Sequence, residues 1–169
     1  MRMLALVFCL ALCVQGCSYA ISPPLVKQSD KTISFEQLLA EPASYTGKTV
    51  ILGGIIAQIK NTPQGALIEI IQKELDYWGK PVRTDKTGGR FLLRHPGFLD
   101  AMVYAPGREL TVAAEVVGTE EKALTQAEYS YPLLRVRELK LWERERRSWD
   151  RPQWIDPLYD VHGTGSGVE

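Results

Sequence analysis

The chain has 169 residues, of which 45% are hydrophobic and 24% are charged, a composition typical of a single globular domain. Twenty basic residues balance twenty acidic ones, so the overall positive charge typical of a nucleic-acid-binding protein is absent. All three cysteines precede residue 18 and the two histidines are far apart in the sequence, which argues against a zinc site or a disulfide framework in the rest of the chain.

The N-terminal residues have the pattern of a bacterial export signal. One basic residue precedes an uncharged, apolar stretch over residues 3–14, whose length is that of the hydrophobic region of a signal peptide. As a helix it would reach only about 18 Å, too short for a bilayer core of about 30 Å. The stretch ends in Val14-Gln15-Gly16-Cys17, which resembles the lipobox of bacterial lipoproteins. We therefore predict a signal peptide over residues 1–16, cleaved after Gly16; an ordinary secretory signal is the alternative.

The lipobox resemblance implies that Cys17 carries a diacylglyceryl group and an N-acyl chain, and no other cofactor is predicted. Each buried acyl CH₂ contributes about 0.8 kcal/mol, so three chains anchor a protein firmly. Ser18 follows the cysteine where Asp is the usual signal for inner-membrane retention, which implies sorting to the outer membrane. Residues 18–32 contain two prolines and no periodicity, so residues 17–32 are predicted to form the lipidated N-terminus and an extended tether.

A β-rich domain is predicted over residues 33–147, beginning with one short helix. Ser34 and Gln37 have the spacing of a capping box, and Pro42 ends the helix predicted over residues 35–40. Five strands follow, rich in β-branched or alternating apolar residues, at positions 50–59, 66–72, 89–94, 108–117 and 131–142.

The strand pattern predicts a mainly β fold, a small OB-like five-stranded barrel with long loops. Gly53-Gly54 in the first strand is interpreted as a bend or bulge, and a change of apolar parity in the fifth strand predicts a bulge near Glu138. The alternative is an open antiparallel sheet covered by a helix. Residues 148–169 contain prolines and closing glycines and are predicted to form an irregular tail.

The sequence contains none of the common catalytic motifs, such as G-x-S-x-G, H-E-x-x-H or a phosphate-binding glycine loop. Glu69, Asp76, Asp100 and His95 are the residues that an envelope hydrolase would use, but no spacing pairs them. We therefore predict no catalytic residue and no metal ligand, and a hydrolase is kept only as an alternative.

Two segments combine aromatic and basic residues and are predicted to contact a ligand or a membrane. Tyr77 and Trp78 lie beside Lys80 and Arg83 in a polar loop, an arrangement that suits stacking on a sugar or a base. Near the C-terminus, arginines surround further tryptophans, and such a mixture suits a membrane headgroup layer; the predicted contacts there are Trp149 and Trp154. The alternative is that both sets of rings simply pack over the barrel.

Short segments along the chain occur in the order and spacing of one known family. They include FEQLLAEPASYTG at 35–47, GGII at 53–56, GKP at 79–81, GRFL at 89–92, GFLD at 97–100 and LW at 141–142. On these segments, residues 17 to about 142 resemble the Slp family of starvation-inducible outer-membrane lipoproteins.

The resemblance implies a lipid-anchored domain at the periplasmic face of the outer membrane, associated with starvation or acid stress. It implies no catalytic residues, and Cys17 is the only functional position that it identifies. The predicted function is therefore a non-enzymatic binding or structural role in the envelope, with the outer-membrane lipid and an envelope protein or glycan as partners, and no nucleic acid. A periplasmic binder of oligosaccharide is the alternative.

Overall fold

The computed structural model describes residues 19–124 and 127–144. Of residues 121–124 and 127–129 it describes only the backbone. Two short α-helices, α1 and α2, and a 3₁₀ helix precede five β-strands. In chain order the elements are α1 (Pro23–Gln28), α2 (Phe35–Ala40), the 3₁₀ helix (Pro42–Tyr45), β1 (Thr49–Thr62), β2 (Gly65–Lys73), β3 (Arg90–His95), β4 (Glu109–Leu124) and β5 (Ala127–Leu141).

The five strands close into a barrel in the order β1-β2-β3-β5-β4, with β4 pairing back onto β1. All neighbouring strands are antiparallel except β3 and β5, which run parallel. The predicted five-stranded barrel is confirmed, and the open sheet is wrong because the β1–β4 and β3–β5 pairings leave no free edge. β4 and β5 continue beyond their predicted limits as a long hairpin.

The core fills the barrel with alternate residues of each strand, as the two-residue period of a β-strand requires. On β4, for example, Leu110, Val112 and Ala114 all belong to this core and are fully buried. Helix α2 adds Leu38, which is 1% exposed. The predicted capping box begins this helix, since the backbone N–H of Gln37 donates to the hydroxyl of Ser34 and the Ser34 N–H donates to the Gln37 side chain.

The predicted bulge in the last strand is confirmed. Ala113 pairs with Glu138 whereas Ala114 pairs with Val136, so Arg137 is an extra residue in β5. It moves the apolar side chains of the second half of the strand back to the barrel interior.

Gly53-Gly54 was interpreted as a bend or bulge, and the bulge is wrong, because the register shift between β1 and β2 falls between Ile56 and Gln58. The two glycines instead allow neighbouring groups to come very close to the strand. A Cβ on Gly53 would overlap the side chain of Leu75, and a Cβ on Gly54 would overlap the backbone carbonyl of Ile71 on β2.

The predicted extended conformation of residues 18–32 is wrong for residues 23–28. Residues 23–28 form α1, which begins with Pro23 in the first turn, where a missing N–H costs nothing. Before it, Ile21 is 3% exposed, and the backbone N–H and hydroxyl of Ser22 donate to the Glu138 carboxylate at 2.9 and 2.5 Å. After it, the N–H of Asp30 donates to a carbonyl of β1. The segment therefore packs on the barrel from residue 21 onward.

Candidate functional site

Two exposed aromatic rings lie together in the loop after β2. Tyr77 is 91% exposed and Trp78 is 66% exposed, and their ring centroids are 5.2 Å apart with the rings edge to face. Large apolar rings on a surface cost free energy unless something covers them, so such a pair marks an interaction site.

The loop that carries the two rings is tightly folded. One carboxylate oxygen of Asp76 accepts hydrogen bonds from the backbone N–H groups of Trp78 and Lys80, both at 2.8 Å. Leu75 and Pro81 form an isolated antiparallel bridge at its base. Gly79 has φ 78°, a left-handed conformation that favours glycine. The rings are therefore held outward by a pre-organised turn, which we call the aromatic loop, residues 75–81.

The aromatic loop packs against the outer surface of β1 and β4. The carbonyl of Gly79 accepts a hydrogen bond of 2.5 Å from the hydroxyl of Thr111, which is fully buried although it points away from the core. The same hydroxyl accepts from the indole N–H of Trp142 at 2.9 Å. The side chain of Leu75, at the base of the loop, lies directly against Gly53 of β1 and extends this contact. The loop is thus fixed to the barrel through a shared polar atom.

The two cations predicted to contact a ligand belong to the same site but already have an acidic partner. Glu109 is 5% exposed; its carboxylate lies 3.8 Å from the ammonium of Lys80 and accepts a hydrogen bond of 2.5 Å from Arg83. Glu109 thus joins Lys80 to Arg83, while Tyr77 and Trp78 contact each other in the same loop as Lys80. The sequence analysis missed Glu109, because nothing local links it to Arg83, 26 residues earlier.

The four residues proposed for an alternative hydrolase each form hydrogen bonds with neighbouring groups of the fold. Glu69 is 5% exposed and accepts a hydrogen bond of 2.5 Å from Arg90. The carboxylate of Asp100 accepts a hydrogen bond from the N–H of Met102. In the same way, the carboxylate of Asp76 accepts one from the N–H of Trp78 within the aromatic loop. His95 is bonded through its ring to the backbone of Gly97. Each group stabilises a turn or a strand pair of its own.

A groove on the outside of the barrel was not predicted. It has a volume of about 310 Å³ and lies where the β4–β5 hairpin passes the outer face of β2 and β3. Its wall combines apolar, acidic and basic groups, namely Gln58, Lys60, Leu67, Glu69, Leu92 and Glu120. The outward side chains of β2 suggested no ligand, because Leu67 and Glu69 simply continue an alternating strand pattern.

The chain enters the barrel beside the aromatic loop. A Cβ placed on Gly79 would lie 3.0 Å from the Cβ of Ala20, so the backbone of the first described residues passes directly against the turn. Tyr19, the first described residue, is 70% exposed. The first described residues and the exposed rings therefore share one side of the molecule.

Ion pairs away from this site stabilise the ionised state of two carboxyl groups. The hydroxyl and N–H of Thr32 lower the pKa of Asp30, with a smaller effect of Lys48. The hydrogen bond from Arg135 lowers the pKa of Glu115, and Arg137 contributes further. Both are anions of ordinary surface networks.

Residues 19–124 and 127–144 contain no group of three or more potential metal ligands among His, Cys, Asp and Glu, and no helix there is long and apolar enough to span a membrane. The predictions for Gly16 and Cys17, and for Trp149 and Trp154, lie outside the described residues.

Comparison with known proteins gives a consistent result. The family model for the outer membrane lipoprotein Slp family matches residues 14–164. The Escherichia coli (strain K12) outer membrane protein Slp is 24% identical over 172 residues, covering 92% of this chain and 90% of that protein. An uncharacterised protein of Haemophilus influenzae is 28% identical over 138 residues, covering 80% of this chain and 74% of that protein.

Among solved structures, the fold is similar to a small single-stranded DNA-binding protein from Streptomyces coelicolor, with a TM-score of 0.36 and 10% identity over 56% of this chain and 93% of that chain. A similarity at this level supports no inference about function.

Proposed function

Because this chain belongs to the Slp family of outer membrane lipoproteins, we propose that it is a non-enzymatic binding or structural component of the envelope, held at the membrane by lipid on Cys17. We further propose that it lies on the periplasmic face and acts under starvation or acid stress. Its partners would be the membrane lipid and an envelope protein or glycan.

The observation that supports a binding role is the contrast between the polar groups and the exposed rings. Glu69, Asp76, Asp100 and His95 each stabilise local structure, whereas the rings of Tyr77 and Trp78 are held outward by a turn whose bonds to Asp76 use only backbone N–H groups. Fixed, exposed aromatic rings on a loop are typical of contact surfaces.

The test of the anchor is metabolic labelling with a clickable fatty acid, followed by membrane fractionation. We expect the wild-type chain to take up label and to sediment with the outer membrane, and Cys17→Ser to remain unlabelled. An unlabelled, freely soluble wild-type chain would contradict the proposed attachment. Cys13→Ser is the matched control, and it should leave labelling unchanged because that residue belongs to the predicted signal peptide.

The test of the non-enzymatic role uses the purified mature chain with peptidoglycan, lipopolysaccharide and phospholipid as substrates. We expect no turnover of any of them. Turnover that disappears in Glu69→Gln or His95→Ala, in a variant that still folds, would establish the alternative hydrolase instead.

A second candidate function is oligosaccharide binding through Tyr77, Trp78, Lys80 and Arg83, favoured by the exposure of the two rings. It is the weaker proposal because Glu109 already engages the two cations that would bond to a sugar. Binding of envelope oligosaccharides that is lost in Trp78→Ala, measured by calorimetry, would support it.

A further inference from the structure

We propose that Tyr19, Tyr77 and Trp78 form an aromatic face that inserts into the lipid headgroup layer beside the anchor and so fixes the orientation of the barrel on the membrane. This inference rests on the proposed lipidation of Cys17. It adds a second contact with the bilayer, made by the folded domain itself.

The first step is the point at which the chain leaves the folded domain. Burial of Ile21 and the two hydrogen bonds from Ser22 to Glu138 fix the chain to the barrel just after Ala20. Ala20 lies against Gly79, which directly follows Trp78 in the aromatic loop. The fixed end of the lipidated segment therefore lies beside the aromatic loop.

The second step is the distance that remains. Three Cα–Cα steps lead from Cys17 to Ala20, and a chain spans at most about 3.6 Å per step, so the lipidated cysteine lies within about 11 Å of Ala20. The acyl chains enter the membrane at Cys17. The side of the barrel that bears the aromatic loop must consequently lie close to the headgroups.

The third step is the chemistry of the surface brought there. Tyrosine and tryptophan combine an apolar ring with a polar group and are enriched at the membrane–water interface. Three such residues surround the exit of the chain, with exposed fractions of 70% for Tyr19, 91% for Tyr77 and 66% for Trp78. Placing these rings among headgroups removes from water an apolar surface that the free domain leaves exposed.

The fourth step is charge. The carboxylate of Asp76 faces the backbone N–H groups of its own turn, and Glu109 is buried beneath the loop. The cations Lys80 and Arg83 are more exposed than Glu109, with 26% and 54% of their side chains accessible against 5%. Asp76 is itself exposed, so the two cations and the two carboxylates balance, and the contact with the headgroups depends on the rings and not on a net charge.

The chain also provides a matched control. Phe98 is an exposed aromatic residue, 77% accessible, in the loop after β3. The backbone of its neighbour Leu99 forms two hydrogen bonds with the side chain of Asn61 on β1. Asn61 is eight positions along β1 from Gly53, and Gly53 lies beneath the aromatic loop. At about 3.3 Å per residue, the two loops contact points separated by up to about 26 Å along this strand.

The experiment places an environment-sensitive dye at single positions of the lipidated protein. After cleavage before Cys17 the chain contains no other cysteine, so Trp78→Cys, Tyr77→Cys and Phe98→Cys each provide one thiol once Cys17 is acylated. The proteins are reconstituted into vesicles of phosphatidylethanolamine and phosphatidylglycerol, with and without brominated acyl chains.

We expect emission at positions 77 and 78 to shift to shorter wavelength and to be quenched by bromine on the order of twofold more than at position 98, as for groups buried about 5–10 Å into the interface. Equal quenching at all three positions, or an aqueous signal at 77 and 78, would overturn the proposal. A dye at position 78 that responds to free envelope oligosaccharide and not to vesicles would assign the loop to sugar binding instead. Fatty-acid labelling of the same preparations reports on Cys17 independently, so failure of the anchor and failure of the aromatic face give different results.

Discussion

At the scale of single residues, Gly53 and Gly54 show how the absence of one side-chain carbon determines packing. Both lie in the middle of β1, where β-branched residues would otherwise be favoured. Gly53 leaves room for Leu75 and the aromatic loop, and Gly54 leaves room for the carbonyl of Ile71 on the neighbouring strand. The glycines thus connect the barrel wall to the candidate site.

Replacing Gly54 with Ala should lower the free energy of unfolding by about 1–3 kcal/mol. The added Cβ would overlap a backbone carbonyl, which cannot move without disturbing the β1–β2 pairing. Urea unfolding followed by circular dichroism measures the change. Gly97→Ala is the control: its Cβ would lie 3.5 Å from the His95 ring, so we expect a change within about 0.5 kcal/mol. Equal stability of the two variants would contradict this account.

Glu115 should make the stability of the fold dependent on pH in the acid range. Its pKa lies below the ordinary value of 4.5, chiefly because Arg135 donates to it at 2.8 Å. The ionised carboxylate therefore stabilises the fold fully above the unfolded-state pKa, and this contribution is lost as the pH falls through the lower folded-state pKa.

We accordingly expect Glu115→Gln to be less stable than the wild type at pH 7, by less than about 1 kcal/mol because the pair is on the surface. The difference should narrow below about pH 4.5 and in high salt. Thermal unfolding at several pH values measures it. A difference that persists at low pH would show that the carboxylate acts through shape and not through charge.

The residues of the aromatic loop were predictable from their type and order, and their partners were not. Tyr77 and Trp78 are conspicuous among polar neighbours, whereas the burial of Glu109 under the loop depends on strands that meet only in the folded barrel. The pairing of Arg83 with Glu109 links residues 26 positions apart. No local pattern reports such a contact.

At the scale of elements, local signals predicted what local interactions stabilise. The capping box fixed the start of α2, and alternating parity revealed the bulge next to Glu138. The bulge between Ile56 and Gln58 was hidden, because a nearly continuous apolar run shows no change of parity. Helix α1 was missed because, unlike α2, it has no capping box: Ser22 makes no side-chain cap bond, and the contacts of Ser22 and Asp30 with distant strands hold the helix in place.

Removing the cap of α2 should test how much this local signal contributes. Ser34→Ala deletes the hydroxyl that accepts from Gln37, and we expect a loss of about 1 kcal/mol in the free energy of unfolding. Ser44→Ala is the control, since it removes one exposed side-chain hydrogen bond outside α2 and should have little effect. Denaturant unfolding measures both. A neutral Ser34→Ala would show that burial of Leu38 alone holds the helix.

At the scale of the whole molecule, the carboxylate of Glu138 joins the N-terminal segment to the barrel. In Glu138→Ala, Ser22 loses both of its hydrogen bonds to β5, so residues 19–28 should detach more often. We expect tryptic cleavage after Lys27 to become faster by on the order of fivefold, for a loss of about 1 kcal/mol in local stability. Mass spectrometry of timed digests measures the rate.

Glu120→Ala is the control for this prediction, because that carboxylate pairs with Arg94 on the surface and makes no contact of this kind with the N-terminal segment. Its cleavage after Lys27 should match that of the wild type. If both variants were cleaved faster, general loosening of the barrel would be the cause.

The attachment of Ser22 to β5 also bears on which molecules the protein can meet. With lipid on Cys17 as proposed, fifteen extended residues would let the barrel reach about 50 Å from its anchor, whereas three Cα–Cα steps limit that distance to about 11 Å. So close to the membrane, encounters with other membrane-bound proteins become nearly two-dimensional, and the effective concentration of such neighbours rises. Even contacts with weak intrinsic affinity would then be occupied, provided that the partner lies in the same plane.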